Sequence, residues 1–149
     1  MNVLIPMAGE GSRFIKAGYN MPKPLIDVCN KPMIGRVIES LNNDKLNINF
    51  IFIAQKNHLD LGLRDYLKDK GTIVTLLAES LINNDSELVI ANCDQYLQWD
   101  FYDFINYSRT YDGCLVIFNS TNPHHSYAKV KKSLVTEVAE KIVISDKAS

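Results

Sequence analysis

Cysteine is scarce in this chain and follows no pairing pattern. Cys29, Cys93 and Cys114 stand far apart among 149 residues, with no C-x-x-C and no zinc spacing. That excludes a disulfide scaffold or a zinc module; the three are expected as buried free thiols in a reducing compartment. Net charge is also lacking, with 16 Lys plus Arg against 17 Asp plus Glu. No global basic field points to nucleic acid, so any bound anion must be held by local geometry. No apolar run approaches the roughly twenty residues that cross a bilayer. The opening "MNVLIPM" is too short for a signal h-region and carries no basic leader. These absences predict a cytoplasmic chain with neither a membrane nor a nucleic-acid partner. Internal repeats and low-complexity segments are missing too, and the length suits one domain with a single core.

What is present alternates between two kinds of segment. "NVLIPM" (Asn2–Met7) and "NFIFIA" (Asn49–Ala54) are short apolar runs bounded by turn residues, as buried strands are. "GTIVTL", "ELVIAN" (Glu87–Asn92) and "GCLVIFNS" (Gly113–Ser120) predict three more. Between them, "PMIGRVIESLN" (Pro32–Asn42) puts Ile34, Val37, Ile38 and Leu41 on one helical face, with Pro32 near its start. "HLDLGLRDYLK" (His58–Lys68) predicts a helix weakened by Gly62, and "DFYDFINYSR" a short one. "SYAKVKKSLVTEVAEK" alternates about Lys132-Ser133 as a hairpin does. The expected fold is therefore α/β, Rossmann-like, with a mixed, mostly parallel sheet and helices on both faces. One join is cramped. Only residues 76 to 86 separate the third and fourth strand signals, near the lower limit for a parallel crossover.

The segment "PMAGEGSRF" (Pro6–Phe14) leaves the first strand with two glycines, a serine and an arginine. Gly9 and Gly11 open backbone conformations closed to other residues. Amides turned into such a loop make an anion nest, to which Arg13 adds a bidentate fork for phosphate oxygens. A dinucleotide fingerprint would need a third glycine where Phe14 stands and an acid where the second strand ends in Gln55 and Lys56. A Walker P-loop is absent. The bland alternative is a tight turn with an incidental arginine. Against it stands "MPKPLIDVCNKPMI", which holds Lys23 between two prolines, extending its backbone and lowering the entropy cost of aiming its ammonium.

Together, "LIPMAGEGSRF…MPKPLIDVCNKPMI" closely resembles the opening signature of the sugar-phosphate nucleotidyltransferases, the glucose-1-phosphate thymidylyl- and cytidylyltransferase-like enzymes and their relatives. "ELVIANCDQY" and "LVTEVAEK" resemble two later blocks of that family, in the same order. The resemblance implies transfer of a nucleotidyl group from a nucleoside triphosphate, a pyrimidine being favoured, to a small phosphorylated acceptor such as a sugar 1-phosphate. Pyrophosphate is released and Mg²⁺ is required. It implies that Ala8, Gly9, Glu10, Gly11, Ser12 and Arg13 bind the nucleotide, with Arg13 stabilising the departing pyrophosphate. Lys23 would neutralise charge at the α-phosphate and the incoming phosphate, Asp94 would hold Mg²⁺, and Glu140 and Lys141 would reach the acceptor. Each residue has a plainer reading beside this: a turn aspartate for Asp94, a solvated charge pair for Glu140 and Lys141. Asn30 stands where relatives commonly carry glycine, and Asn tolerates left-handed backbone. His124 and His125 are read as loop residues, since adjacent histidines rarely face one ion; Trp99 and the tyrosines from Tyr96 to Tyr111 are read as packing groups.

The chain also departs from the family. Its members insert a glycine-containing, base-reading loop where this sequence passes from Thr75 to Leu76, and they continue beyond "VISDKAS" with segments that complete the acceptor pocket. Residues 1–149 are thus expected as a single nucleotidyltransferase-like domain, incomplete at its C-terminus and around residues 75–76. Two other readings stay open: a nucleotide-binding or truncated relative without catalysis, and a plain α/β interaction module whose glycine turn holds nothing. The base, the acceptor and the oligomeric state are not specified by the sequence.

Overall fold

The computed structural model describes every residue from Met1 to Ser149 except Leu76 and Asn83. The cramped join at residues 75–76 therefore falls partly outside the described residues. The chain forms two compact units, Met1–Phe104 and Ile105–Ser149.

In the first unit, β1 (Asn2–Pro6), β2 (Asn49–Ile53), β3 (Thr72–Val74) and β4 (Leu88–Ile90) make a sheet ordered β3-β2-β1-β4. Every pairing in it is parallel, with Val3 opposite Phe50 and Val89, and Ile51 opposite Thr72. The uninterrupted apolar runs follow from this arrangement, because a parallel strand covered on both faces has no solvent side. Val3, Ile5, Ile51 and Phe52 are all fully buried. The helices α1 (Ser12–Lys16), α2 (Met33–Leu41), α3 (Lys56–His58), α4 (Arg64–Leu67) and α5 (Glu79–Ile82) flank the sheet. As the periodicity predicts, α2 buries Ile34, Val37 and Leu41, with Pro32 at its N-cap. The helix predicted over His58–Lys68 is broken instead into α3, a wide turn at Leu59–Leu63, and α4. Gly62 takes φ of +100° there, a value a helix cannot use. The crossover from β3 to β4 contains α5; Ala78 just before it, and Leu81 and Ile82 within it, pack with Leu4 and Ile51.

The helix α6 (Phe101–Ser108) contributes to both units, which divide after Phe104. The second unit holds an antiparallel sheet of β5 (Phe118–Asn119), β6 (Ser126–Lys131), β7 (Leu134–Glu140) and β8 (Lys147–Ala148), ordered β5-β8-β6-β7. The predicted hairpin is present: β6 and β7 pair antiparallel across Lys132 (φ +50°) and Ser133 (φ +64°). Successive left-handed residues match the twist of the flanking strands. The strand expected over Gly113–Ser120 is reduced to Phe118–Asn119, which pairs with β8. A short apolar run states hydrophobicity but names no partner edge, and Leu115 and Val116 are exposed. Among the described residues no helix is long and apolar enough to cross a membrane.

Candidate functional site

The strand order places the candidate loops together. From β1 the chain steps outward through β2 to β3, then crosses to the other side of β1 as β4. The carboxyl ends of β1 and β4 thus flank the point where strand order reverses, the crevice in which open α/β sheets receive ligands. The glycine loop leaves the end of β1, and Asp94 follows β4.

Residues Ala8, Gly9 and Glu10 are exposed, and Gly11 is half-buried. Gly11 has φ of +65° and ψ of +33° at the N-cap of α1, and its carbonyl accepts from the amides of Phe14 (2.8 Å) and Ile15 (3.2 Å). A Cβ at Gly11 would lie 3.2 Å from Cβ of Lys23, whereas one at Gly9 would meet nothing within 4 Å. Among the described residues, the amides of Ala8 to Ser12 donate to no protein acceptor. The guanidinium of Arg13, exposed on α1, likewise has no protein partner among them. A loop of undirected amides beside an unpaired arginine can take an anion without first breaking internal bonds.

The structure brings Lys23 and Asp94 together. Lys23 Nζ donates to Asp94 Oδ2 across 71 residues of sequence, with the two side chains 23% and 39% exposed. The lysine starts a short 3₁₀ turn, Lys23–Leu25, between Pro22 and Pro24, both buried. Its ammonium also lies 5.7 Å from the centre of the Phe14 ring. The following turn is anchored to α2: Arg36 donates to the carbonyls of Val28 (Nε, 3.0 Å) and Cys29, and both Lys31 and Arg36 pair with Glu39. The hydrogen bond from Lys31, with the charges of Lys31 and Arg36, holds the Glu39 carboxyl below its ordinary value against the opposing effect of desolvation. Asn30 has φ of +63° and its amide donates to Asp27 (2.9 Å), the left-handed turn expected of an asparagine standing for glycine.

Beside the pair, the buried Cys93 thiol is pushed up, first by burial and then by the Asp94 charge, with Lys23 pulling it the other way. All three cysteines are free, but only Cys93 is buried: Cys114 is half-buried and Cys29 exposed. The expectation of three buried thiols is corrected accordingly. Cys29 lies exposed on a left-handed turn (φ +53°).

Sequence reasoning missed Gln55. Read only as the absence of an acid at the end of β2, its side chain in fact donates from Nε2 to the Ala8 carbonyl. That bond orients the Ala8–Gly9 peptide, the first of the loop. The available signal was adjacency, because a polar residue ending one parallel strand lies beside the loop leaving its neighbour.

The remaining candidates are divided between the two units. Glu140 and Lys141 belong to the second unit, exposed and paired with each other at 2.9 Å, which lowers the Glu140 pKa. His125 packs edge-on to Phe118, and the amide of His124 caps onto Asn122. Trp99 packs on Phe101 and Phe104 and donates to the Ser40 carbonyl at 2.8 Å, a packing role as read. A cavity of about 280 Å³ at the carboxyl end of α2 is lined by Glu39, Ser40, Tyr96, Trp99 and Asp100 among others, and by none of the candidate site residues.

The donor set decides whether a divalent cation fits. Among the described residues no three of His, Cys, Asp and Glu gather, so the ligands beside Asp94 would be supplied by substrate and water. One half-exposed carboxylate at the crevice suits Mg²⁺, which keeps water and takes further oxygens from substrate phosphates.

A scan against protein-family models finds no match. Curated relatives do exist. The bifunctional protein GlmU of Methanococcus maripaludis is 27% identical over 84% of this chain and 31% of its own length. The catalytic subunit beta of mannose-1-phosphate guanylyltransferase from Xenopus tropicalis is 25% identical over 83% of this chain and 39% of its own. The chain thus spans less than half the length of these relatives. Among solved structures, a nucleoside-diphosphate-sugar pyrophosphorylase from Vibrio cholerae superposes with a TM-score of 0.70 at 22% identity, over 99% of this chain and 70% of that one. A UDP-glucose pyrophosphorylase gives 0.74 at 15%, over 99% and 72%. These likenesses establish the fold. In its sequence this chain is similar to sugar-phosphate nucleotidyltransferases, and its fold is that of nucleotide-sugar pyrophosphorylases.

Proposed function

We propose that this chain is the nucleotide-binding part of a Mg²⁺-dependent nucleotidyltransferase, moving a nucleotidyl group from a nucleoside triphosphate to a small phosphorylated acceptor. A sugar 1-phosphate is the favoured acceptor class, which the names of the relatives support, and a pyrimidine nucleotide the favoured donor. The observation that carries this reading is the convergence of Lys23 and Asp94 beside a loop whose amides are unspent.

In the proposed reaction an oxygen of the acceptor phosphate attacks the α-phosphorus, and the bond from that phosphorus to the bridging oxygen breaks. Pyrophosphate leaves with the electron pair. The protein positions the reactants and neutralises charge. The amides of Ala8 to Ser12 bind the nucleotide and its phosphates, Lys23 faces the α-phosphate and the incoming oxygen, and Arg13 holds the departing pyrophosphate. Asp94 would hold the divalent cation, which when bound supplies charge neutralisation between phosphate oxygens. Glu140 and Lys141 are proposed to serve the acceptor. The reading leaves base selectivity unassigned, because the base-reading loop is either lost at residues 75–76 or missing from the sequence there.

A thermal-shift panel of ATP, GTP, CTP, UTP and dTTP, each with and without Mg²⁺, is the first test. Ligand at a hundred times its dissociation constant should add about 2.7 kcal/mol of stability. Pyrophosphate release with a sugar 1-phosphate then follows, and Arg13→Ala or Asp94→Asn should each lower the rate on the order of 10²–10³-fold. Retained turnover in both variants would refute the assignment. Binding without turnover would identify a nucleotide-binding relative, and a flat panel a module that holds no nucleotide.

A further inference from the structure

Lys23 and Asp94 cancel each other in this structure. Pro22 and Pro24 hold the lysine's backbone, its stem passes against Gly11, and the Phe14 ring stands near its ammonium, so the ammonium changes partner by rotation of the side chain within the crevice. With Asp94 Oδ2 engaged by that ammonium, a divalent cation arriving alone meets a like charge already seated on the carboxylate. A triphosphate arriving alone meets an ammonium that is neutralised, with a carboxylate behind it. Either ligand by itself competes with the pair's own attraction, and its full engagement leaves one member without its partner. The two together leave every charge compensated.

Resting on the reading above, we propose that Lys23 and Asp94 form a partner-exchange couple: each masks the other until a divalent cation and a triphosphate bind, and the masking makes their binding mutually dependent. Asp94 turns from Lys23 to the cation as Lys23 turns from Asp94 to the phosphates. Because linkage is reciprocal, the factor by which the cation strengthens triphosphate binding equals the factor by which the triphosphate strengthens cation binding.

The test is a double-mutant cycle on binding, using inorganic tripolyphosphate as a base-independent probe in isothermal titration calorimetry. Lys23→Met, Asp94→Asn and the double variant alter charge at half-exposed or exposed loop positions; circular dichroism confirms their folding, and Lys23→Gln with Asp94→Ala supplies a second cycle. In EDTA, Asp94→Asn should tighten tripolyphosphate binding about five- to tenfold when Lys23 is present. In the Lys23→Met background the same change should do much less, under about twofold. Simple repulsion between the carboxylate and phosphate gives equal gains in both backgrounds, and that result overturns the proposal. Independently, Mn²⁺ alone, followed by electron paramagnetic resonance, should bind Lys23→Met more tightly than the parent chain; unchanged or weaker binding also overturns it. If the parent chain binds no nucleoside triphosphate even with Mg²⁺, the nucleotidyltransferase reading itself fails, an outcome distinct from equal gains in a chain that does bind.

Discussion

Two glycines in one loop answer to different masters. Gly11 is required by the protein, since its φ is +65° and a Cβ there would crowd Lys23 at 3.2 Å. Gly11→Ala should cost about 1–2 kcal/mol in urea unfolding, from the left-handed backbone alone. Gly9 has no such obligation: its φ is not in the left-handed region and a Cβ would meet nothing. Gly9→Val should therefore leave the unfolding midpoint unchanged while weakening triphosphate binding in calorimetry. Equal loss of stability in both variants would mean that Gly9 serves the fold and not a ligand. Thiol labelling separates Cys29 from Cys93 in the same way. Exposed Cys29 should react promptly with a thiol reagent under native conditions, and buried Cys93 only after denaturant is added.

Among the elements, α2 and the strand ends decide how firmly the loops are held. The turn after Lys23 is tied to α2 through Arg36, Lys31 and Glu39. Glu39 titrates low because Lys31 hydrogen-bonds its charged form. A carboxyl with a depressed folded pKa adds stability above its unfolded pKa, and loses it as pH falls through the folded value. Carbon-detected NMR should find Glu39 below the ordinary glutamate range, and Lys31→Met should return it upward. Gln55 ties the end of β2 to the loop after β1. Gln55→Ala should weaken triphosphate binding by about three- to tenfold, the worth of one positioning hydrogen bond, with the melting temperature held. The elements were legible where they carried a long periodic face, as in α2. They were less so where a single residue overrides the pattern, as Gly62 does between α3 and α4. The run at 113–120 shows the same limit, because a strand needs an edge to pair with and periodicity names none.

At the scale of the molecule, the two units differ in how they bury their strands. The parallel sheet encloses Val3, Ile5, Ile51 and Phe52 completely, whereas β7, at the edge of its sheet, leaves Leu134, Val135 and Val138 exposed. Opening free energy follows burial and pairing on both sides. Hydrogen exchange should therefore be slowest at Val3–Ile5 and Phe50–Phe52, and markedly faster at Val135–Val138. Uniform protection across both sheets would contradict that order.

The sequence alone determined the chemistry on offer. It carries a glycine loop with a fixed cation, a lysine clamped by prolines, and an aspartate closing an apolar run, all on a frame of alternating strands and helices. Those features are local, written in neighbouring residues and their steric limits, and they could be read without coordinates. Only the tertiary structure decided that Lys23 meets Asp94 and that Gln55 meets the Ala8 carbonyl. Both contacts depend on which strands lie beside β1. Hydrophobic periodicity establishes that a strand is buried, but the choice of neighbour is settled by packing across the whole sheet, where β4 crosses over to lie against β1.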